Sequence, residues 1–135
     1  MNKKLDVTIY TPFGKYYAGK ADYLSFTSGK GVIGILPNHA PIITTVEISK
    51  LILRLNGEET IYATSGGVLR IKEDHSVVLL LDSIEKDTDI DVDRAYKAKV
   101  RALERLDAKG EEIDIARAEA SLSRALNRIN ISDKK

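Results

Sequence analysis

The sequence predicts an α+β chain: an N-terminal antiparallel β-sandwich, or flattened barrel, over residues 1–84, then a C-terminal antiparallel two-helix hairpin over residues 85–135. Two observations carry that division. Up to Ile84 the apolar residues alternate in short runs punctuated by Gly, Pro and Asn. Such runs, at roughly 8–12-residue spacing, are the grammar of an antiparallel sandwich. After Ile84 proline disappears, glycine survives only as Gly110, and Ala, Leu, Arg, Lys and Glu dominate with apolar positions at helical spacing.

Taken in order, Leu5–Tyr10 alternates and stops at the turn signal Thr11-Pro12-Phe13-Gly14. Ala21–Thr27 alternates next and ends at Ser28-Gly29-Lys30-Gly31. Leu51–Leu55 runs into Asn56-Gly57, the strongest short hairpin signal, and Thr60–Thr64 follows. Val68–Ile71 turns through Lys72-Glu73-Asp74-His75 into Ser76–Leu81. In the second half Thr88 or Asp89 is placed to cap a helix, with Asp91 near its third position and acids favouring the dipole of the first turn. That helix should reach about Leu106; Asp107-Ala108-Lys109-Gly110 is a short connector, and a second helix should run to about Asn130. The many alanines permit close helix contact but bury little apolar area, so the hairpin is expected to be weakly held and able to open.

Composition narrows the function classes. A chain of 135 residues with 43% hydrophobic content can fill a real core. Without cysteine there is no disulfide framework, thiolate nucleophile or zinc–cysteine site, which fits a reducing compartment. The opening Met1–Asp6 has no apolar signal core, and no apolar run approaches the roughly 18–20 residues of a spanning helix. Membrane association is therefore expected only through a partner. A net charge of +1 is too balanced for a nucleic-acid binder. The distribution is uneven: acids crowd Glu85–Asp114, whereas from Ile115 onward Arg117, Arg124, Arg128, Lys134 and Lys135 meet only Glu119 and Asp133.

Two arginine triplets, Arg94, Arg101, Arg105 and Arg117, Arg124, Arg128, have identical spacing. Offsets of seven and eleven residues fall within roughly 20° of each other around a helix, so each triplet is one stripe. Arginine's planar, permanently charged fork suits phosphates and carboxylates. The stripes therefore point to an anion, a nucleotide or an acidic partner surface, with solvated faces paired to nearby acids as the alternative.

Other signals fail. Gly14–Lys20 fits the first seven positions of a phosphate-binding P-loop, but Ala21 stands where a hydroxyl must meet magnesium, and the flanks alternate like strands. His39 and His75 lack metal-ligand spacing, no nucleophile elbow occurs, and no catalytic residue is assigned. His75 reads as a solvated turn residue. His39, bounded by Pro37 and Pro41, reads as a loop histidine satisfied by backbone groups or as a partner contact. Ser65-Gly66-Gly67 reads as a bulge or close backbone approach in preference to an oxyanion feature.

Gly34-Ile35-Leu36-Pro37-Asn38-His39-Ala40-Pro41, Ser65-Gly66-Gly67-Val68-Leu69 and Asp89-Ile90-Asp91-Val92-Asp93-Arg94-Ala95 strongly resemble the epsilon subunit family of bacterial F-type ATP synthases. The resemblance covers essentially the whole chain. Departures are Asn38, where the family commonly has Gly, Ile42 for Leu, and Val32, where many members carry an acid near the rotor ring.

The resemblance implies a non-catalytic central-stalk subunit on the cytoplasmic face of the cell membrane. Its sandwich would bind the gamma subunit and the ring of proton- or sodium-carrying c subunits, with Val32 and His39 as partner contacts. Its mobile hairpin would inhibit ATP hydrolysis when extended toward the catalytic alpha and beta subunits, with Arg117 in contact. No cofactor is required. ATP enters as a regulatory ligand of the folded hairpin at Glu85, Ile90, Asp91, Arg94, Ala95, Arg101, Arg124 and Arg128. The alternative is a sandwich-plus-hairpin interaction module of another assembly.

Overall fold

The computed structural model describes residues 3–107 and 114–133. They divide into two compact units, Met1–Lys86 and Asp87–Lys135. Beyond Asp107, the expected connector lies outside the described residues.

In the first unit two five-stranded sheets face each other. One sheet is ordered β2 (Gly14–Ala21), β1 (Leu5–Thr11), β9 (Val77–Leu81), β8 (Gly67–Ile71), β5 (Ile42–Val46). The other is ordered β10 (Ile84–Lys86), β7 (Glu58–Thr64), β6 (Ser49–Leu55), β3 (Tyr23–Ser28), β4 (Gly31–Ile35). Alternation decides which side chains enter the core. Leu5, Val7 and Ile9 meet Leu69, Ile71, Val77, Leu79 and Leu81 from one sheet, and Leu24, Phe26, Ile35, Leu51 and Leu53 from the other. The one departure from an antiparallel pattern is the parallel pair β1–β9, in which Val7 lies opposite Val77 and Ile9 opposite Leu79. No hairpin joins these strands, so only the shared inward face sets their direction.

Turn chemistry closes the strands as the residue types demand. Asn56 and Gly57 sit at φ 53° and 83°, the paired left-handed conformation of a type I′ hairpin turn between β6 and β7. The Lys4 ammonium bonds both the Asp22 carboxylate and the Asn56 side chain, and the Asn56 N–H donates to Asp22 at 2.7 Å. Those contacts hold the Asp22 carboxyl below its ordinary pKa, Lys4 being the larger cause and the Asn56 N–H the next. Ser65-Gly66-Gly67 is a close backbone approach. A Cβ on Gly67 would lie 2.0 Å from the Leu80 carbonyl oxygen.

The second unit is a hairpin of α1 (Val92–Asp107) and α2 (Ile115–Asp133). The cap of α1 differs from expectation. Asp87–Asp89 forms a 3-10 turn and Ile90 is buried, so neither Thr88 nor Asp89 caps the helix. Asp91 does, its carboxylate accepting the Arg94 backbone N–H at 3.0 Å and its carbonyl the Ala95 N–H at 3.0 Å. α2 begins the same way: Asp114 accepts from the Arg117 N–H at 3.0 Å and from the Ala118 N–H at 3.0 Å.

Candidate functional site

The two caps expose an internal repeat with a 23-residue offset. Asp91, Arg94, Ala95, Arg101, Ala102, Leu103 and Arg105 recur as Asp114, Arg117, Ala118, Arg124, Ala125, Leu126 and Arg128. Burial follows the repeat: Ala95, Ala102, Ala118 and Ala125 are all buried. Their seven-residue spacing marks the seam along which the two helices pack, and small side chains let the backbones approach closely.

Taking that seam as zero, 100° per residue puts Arg94, Arg101 and Arg105 about 80–120° to one side of α1. Val92, Tyr96, Val100 and Leu103 fall about 60–140° to the other side. The repeat gives α2 the same layout. Antiparallel pairing relates equivalent helices by a twofold axis perpendicular to the plane of the hairpin. Both arginine stripes consequently share one broad face; the opposite face carries the apolar flank of α1 and, from α2, Ile115, Glu119, Ser123 and Leu126. The helix carboxylates Asp93, Glu104, Asp107 and Glu119 fall on the back or the apolar side, by the same wheel. The arginine stripes thus gather guanidinium forks on a face that these four carboxylates do not occupy.

Among the residues expected to bind nucleotide, Arg94 and Arg101 are exposed, while Arg124 and Arg128 are half-buried. An Arg124 guanidinium nitrogen donates to the Ser121 hydroxyl at 3.0 Å, which fixes the fork at the edge of the seam. Ile90 and Ala95 are buried and support the first turn of α1 from within. The Asp91 carboxylate is engaged as a cap, so it acts on Arg94 through the backbone. Glu85 belongs to the sandwich unit, half-buried on β10 opposite Ala63. Arg117 is exposed at the start of α2.

The sandwich carries the other expected contacts. Val32, 77% exposed, lies on the edge strand β4 opposite Thr27. Leu36-Pro37-Asn38-His39 is a type II turn: Asn38 has φ 67°, and the His39 N–H donates to the Leu36 carbonyl at 3.2 Å. Position i+2 of such a turn needs positive φ, which explains why asparagine can replace the glycine usual there. The His39 Nδ1 meets the Ala40 carbonyl at 2.8 Å. His75 is exposed, but its Nδ1 reaches the His39 carbonyl at 3.1 Å, tying the β8–β9 turn to this loop. Neither ring is placed for catalysis. The Gly66 N–H donates to the Thr64 hydroxyl at 3.1 Å and is not aimed at an oxyanion.

A surface not anticipated from sequence lies on the outer face of the β1–β9–β8–β5 sheet. Tyr10 pairs in register with Leu80, and Leu80 with Val68, an exposed apolar row; exposed Ile43 stands on the same face of β5, opposite Arg70 and one pair along from Val68. Alternation within each strand could have flagged these outward apolar residues, but their adjacency required the register. A patch of this kind on a folded domain marks a binding face. Among the described residues no group of acids or histidines could hold a metal, and no helix is long and apolar enough to cross a membrane.

Family comparison matches both units. Residues 4–87 match the model described as "ATP synthase, Delta/Epsilon chain, beta-sandwich domain", and residues 88–133 its "long alpha-helix domain". Proteins named ATP synthase epsilon chain from Bacillus licheniformis and Halalkalibacterium halodurans are 38% and 40% identical, each over 96% of this chain and 98% of the relative. One from Desulfitobacterium hafniense is 42% identical over 90% of this chain and 91% of the relative. In fold, the chain resembles a chain of the Euglena gracilis mitochondrial ATP synthase (TM-score 0.80, 17% identity, 92% of this chain and 78% of that one). It also resembles a chain from the central stalk and c-ring structure of the Tetrahymena thermophila enzyme (TM-score 0.63, 12% identity, 98% and 96%).

Proposed function

The chain belongs to the ATP synthase delta/epsilon family as a non-catalytic stalk subunit, and on that premise we propose that its hairpin is an ATP-responsive brake on hydrolysis. The observation that carries the proposal is the shared arginine face. Arg94, Arg101, Arg124 and Arg128 offer forks to a polyphosphate on a face from which Asp93, Glu104, Asp107 and Glu119 are turned away. Asp91 contributes by capping α1 and setting Arg94 at its rim, while Ile90 and Ala95 hold that turn to the hairpin core.

The sandwich would couple ion flow to ATP synthesis by joining the gamma subunit to the c-ring. Its outer apolar patch of Tyr10, Leu80, Val68 and Ile43 suits a tight subunit contact, and the Val32 and His39 edge suits the ring. The complex would hold the chain peripherally on the cytoplasmic side of the membrane. With the hairpin extended, Arg117, Arg124 and Arg128 would meet carboxylates of the catalytic subunits and block hydrolysis. ATP shifts the balance only by its differential affinity for the folded form.

The test is twofold. ATP added to the isolated chain should slow amide exchange in α1 and α2; unchanged exchange at millimolar nucleotide removes ATP sensing. Assembled enzyme lacking the residues after Lys86 should hydrolyse ATP faster than the intact enzyme, and equal rates remove the brake.

A further inference from the structure

Ser121 stands apart from the other serines of α2. Measured from the Ala118 and Ala125 seam, it falls about 40–60° round on the arginine side, between Arg117 and Arg124 along the helix. Ser123 falls on the opposite side, and Ser132, at the far end of α2, donates its hydroxyl to the Ile129 carbonyl at 2.9 Å. The half-buried Ser121 instead accepts from the Arg124 guanidinium at 3.0 Å. The internal repeat supplies a comparison within the same molecule. In α1 the place of Ser121 is taken by Ala98 and that of Arg124 by Arg101. A methyl group offers Arg101 no acceptor, and Arg101 is exposed where Arg124 is half-buried. One arginine of the face is thus tethered while its counterpart is not.

We propose that Ser121 is a positioning residue of the arginine face: it braces Arg124 as the fixed fork for a phosphoryl group, and exposed Arg94 and Arg101 adjust around that fork. The inference rests on the ATP reading given above and assigns a residue to it. An untethered arginine gives up rotamer freedom when it closes on a phosphate, whereas one already held by a neighbouring hydroxyl has given up much of it before the ligand arrives. The bond to Ser121 occupies one guanidinium N–H and leaves the remaining donors for phosphate oxygens. Ser121 therefore acts through Arg124 and does not itself touch the nucleotide.

Titration of the full-length chain with ATP tests the brace. Ser121→Ala should weaken binding by about fivefold, the cost of immobilising one long side chain. Ser121→Thr keeps the hydroxyl and should stay within about twofold of wild type. Helix amide exchange should not rise in Ser121→Ala, because alanine is the better helix former. In an Arg124→Ala background Ser121→Ala should change affinity by less than about twofold, since the brace has nothing left to hold. Without nucleotide, nitrogen-15 relaxation should find the Arg124 Nε more ordered than the Arg101 Nε, and Ser121→Ala should bring the two level. Equal ATP affinity of wild type and Ser121→Ala overturns the brace and leaves the ATP site standing. A loss that persists undiminished in the Arg124→Ala background also overturns it, because Ser121 would then meet the nucleotide directly. A wild-type chain that binds no ATP at millimolar concentration removes the ATP site and the brace with it.

Discussion

Replacing Asp91 separates a structural role from a ligand contact. Its carboxylate accepts the Arg94 N–H at 3.0 Å, so Asp91→Ala removes a helix N-cap worth about 1 kcal/mol, within a range of roughly 0.5–2. Loss of a negative charge at the positive end of α1 adds a few tenths of a kcal/mol. Asparagine caps nearly as well as aspartate, so Asp91→Asn should lose only the charge contribution. Asp114→Ala is the internal control, because Asp114 makes the same 3.0 Å bond to Arg117. Native-state hydrogen exchange should show Asp91→Ala and Asp114→Ala each raising opening of the capped turn by roughly tenfold, with Asp91→Asn close to wild type. If the intact hairpin is folded by about 2 kcal/mol, a loss near 1.5 leaves most molecules folded, and apparent ATP affinity falls by less than about twofold. The reasoning is refuted if Asp91→Asn loses tenfold or more in ATP affinity while its exchange stays wild-type, since Asp91 would then touch the nucleotide directly.

Gly67→Ala would drive a Cβ to 2.0 Å from the Leu80 carbonyl oxygen and 2.9 Å from the Leu81 Cα, both backbone atoms. It should destabilise the sandwich by about 3 kcal/mol or more in urea unfolding, whereas Gly29→Ala, whose nearest contacts are side-chain oxygens at 3.5 Å, should shift the midpoint little. Tyr62 is buried, and burial, followed by the neighbouring Tyr16 and Tyr17, pushes its pKa up to about 12. Its neutral form is therefore favoured in the fold, contributing stability that is complete below about pH 10 and lost between about 10 and 12; the loss is on the order of 2–3 kcal/mol. Tyr62→Phe should flatten stability in that window, as read by denaturant midpoints at successive pH values. Ala125→Leu, at a fully buried seam position, should destabilise the hairpin by about 1–3 kcal/mol, while Leu126→Ala on the exposed flank should stay within about 0.5; helix amide exchange reports both.

The legible strands share a physical property. Sequence alternation locates parts of β1, β3, β6, β7, β8 and β9, which are the interior strands of the two sheets. It misses β2, β4, β5 and β10, which are the four edges. An interior strand must bury one full row of side chains, so its pattern is strong. An edge strand buries less and can carry glycine, lysine or an exposed valine, as Gly14–Ala21 and Gly31–Ile35 do. The parallel pairing of β1 with β9 is illegible for a different reason: alternation looks the same in both directions.

The hairpin divides in the same way. Arginine spacing alone establishes one stripe per helix, because helical geometry is local. That the alanines form the seam, and so set both stripes on one face, comes from burial on packing. The 23-residue recurrence of Asp, Arg and Ala is a property of the sequence, and the pattern is sufficient to locate both caps once it is noticed. Sequence by itself determined the interior strands, the Asn56-Gly57 turn, the two helices and the family, since each rests on local backbone preference or short-range periodicity. Tertiary structure decided the edges, the β1–β9 direction, the outer apolar patch and the sharing of one face by both arginine stripes. Those depend on which surfaces meet, and that is not encoded in spacing.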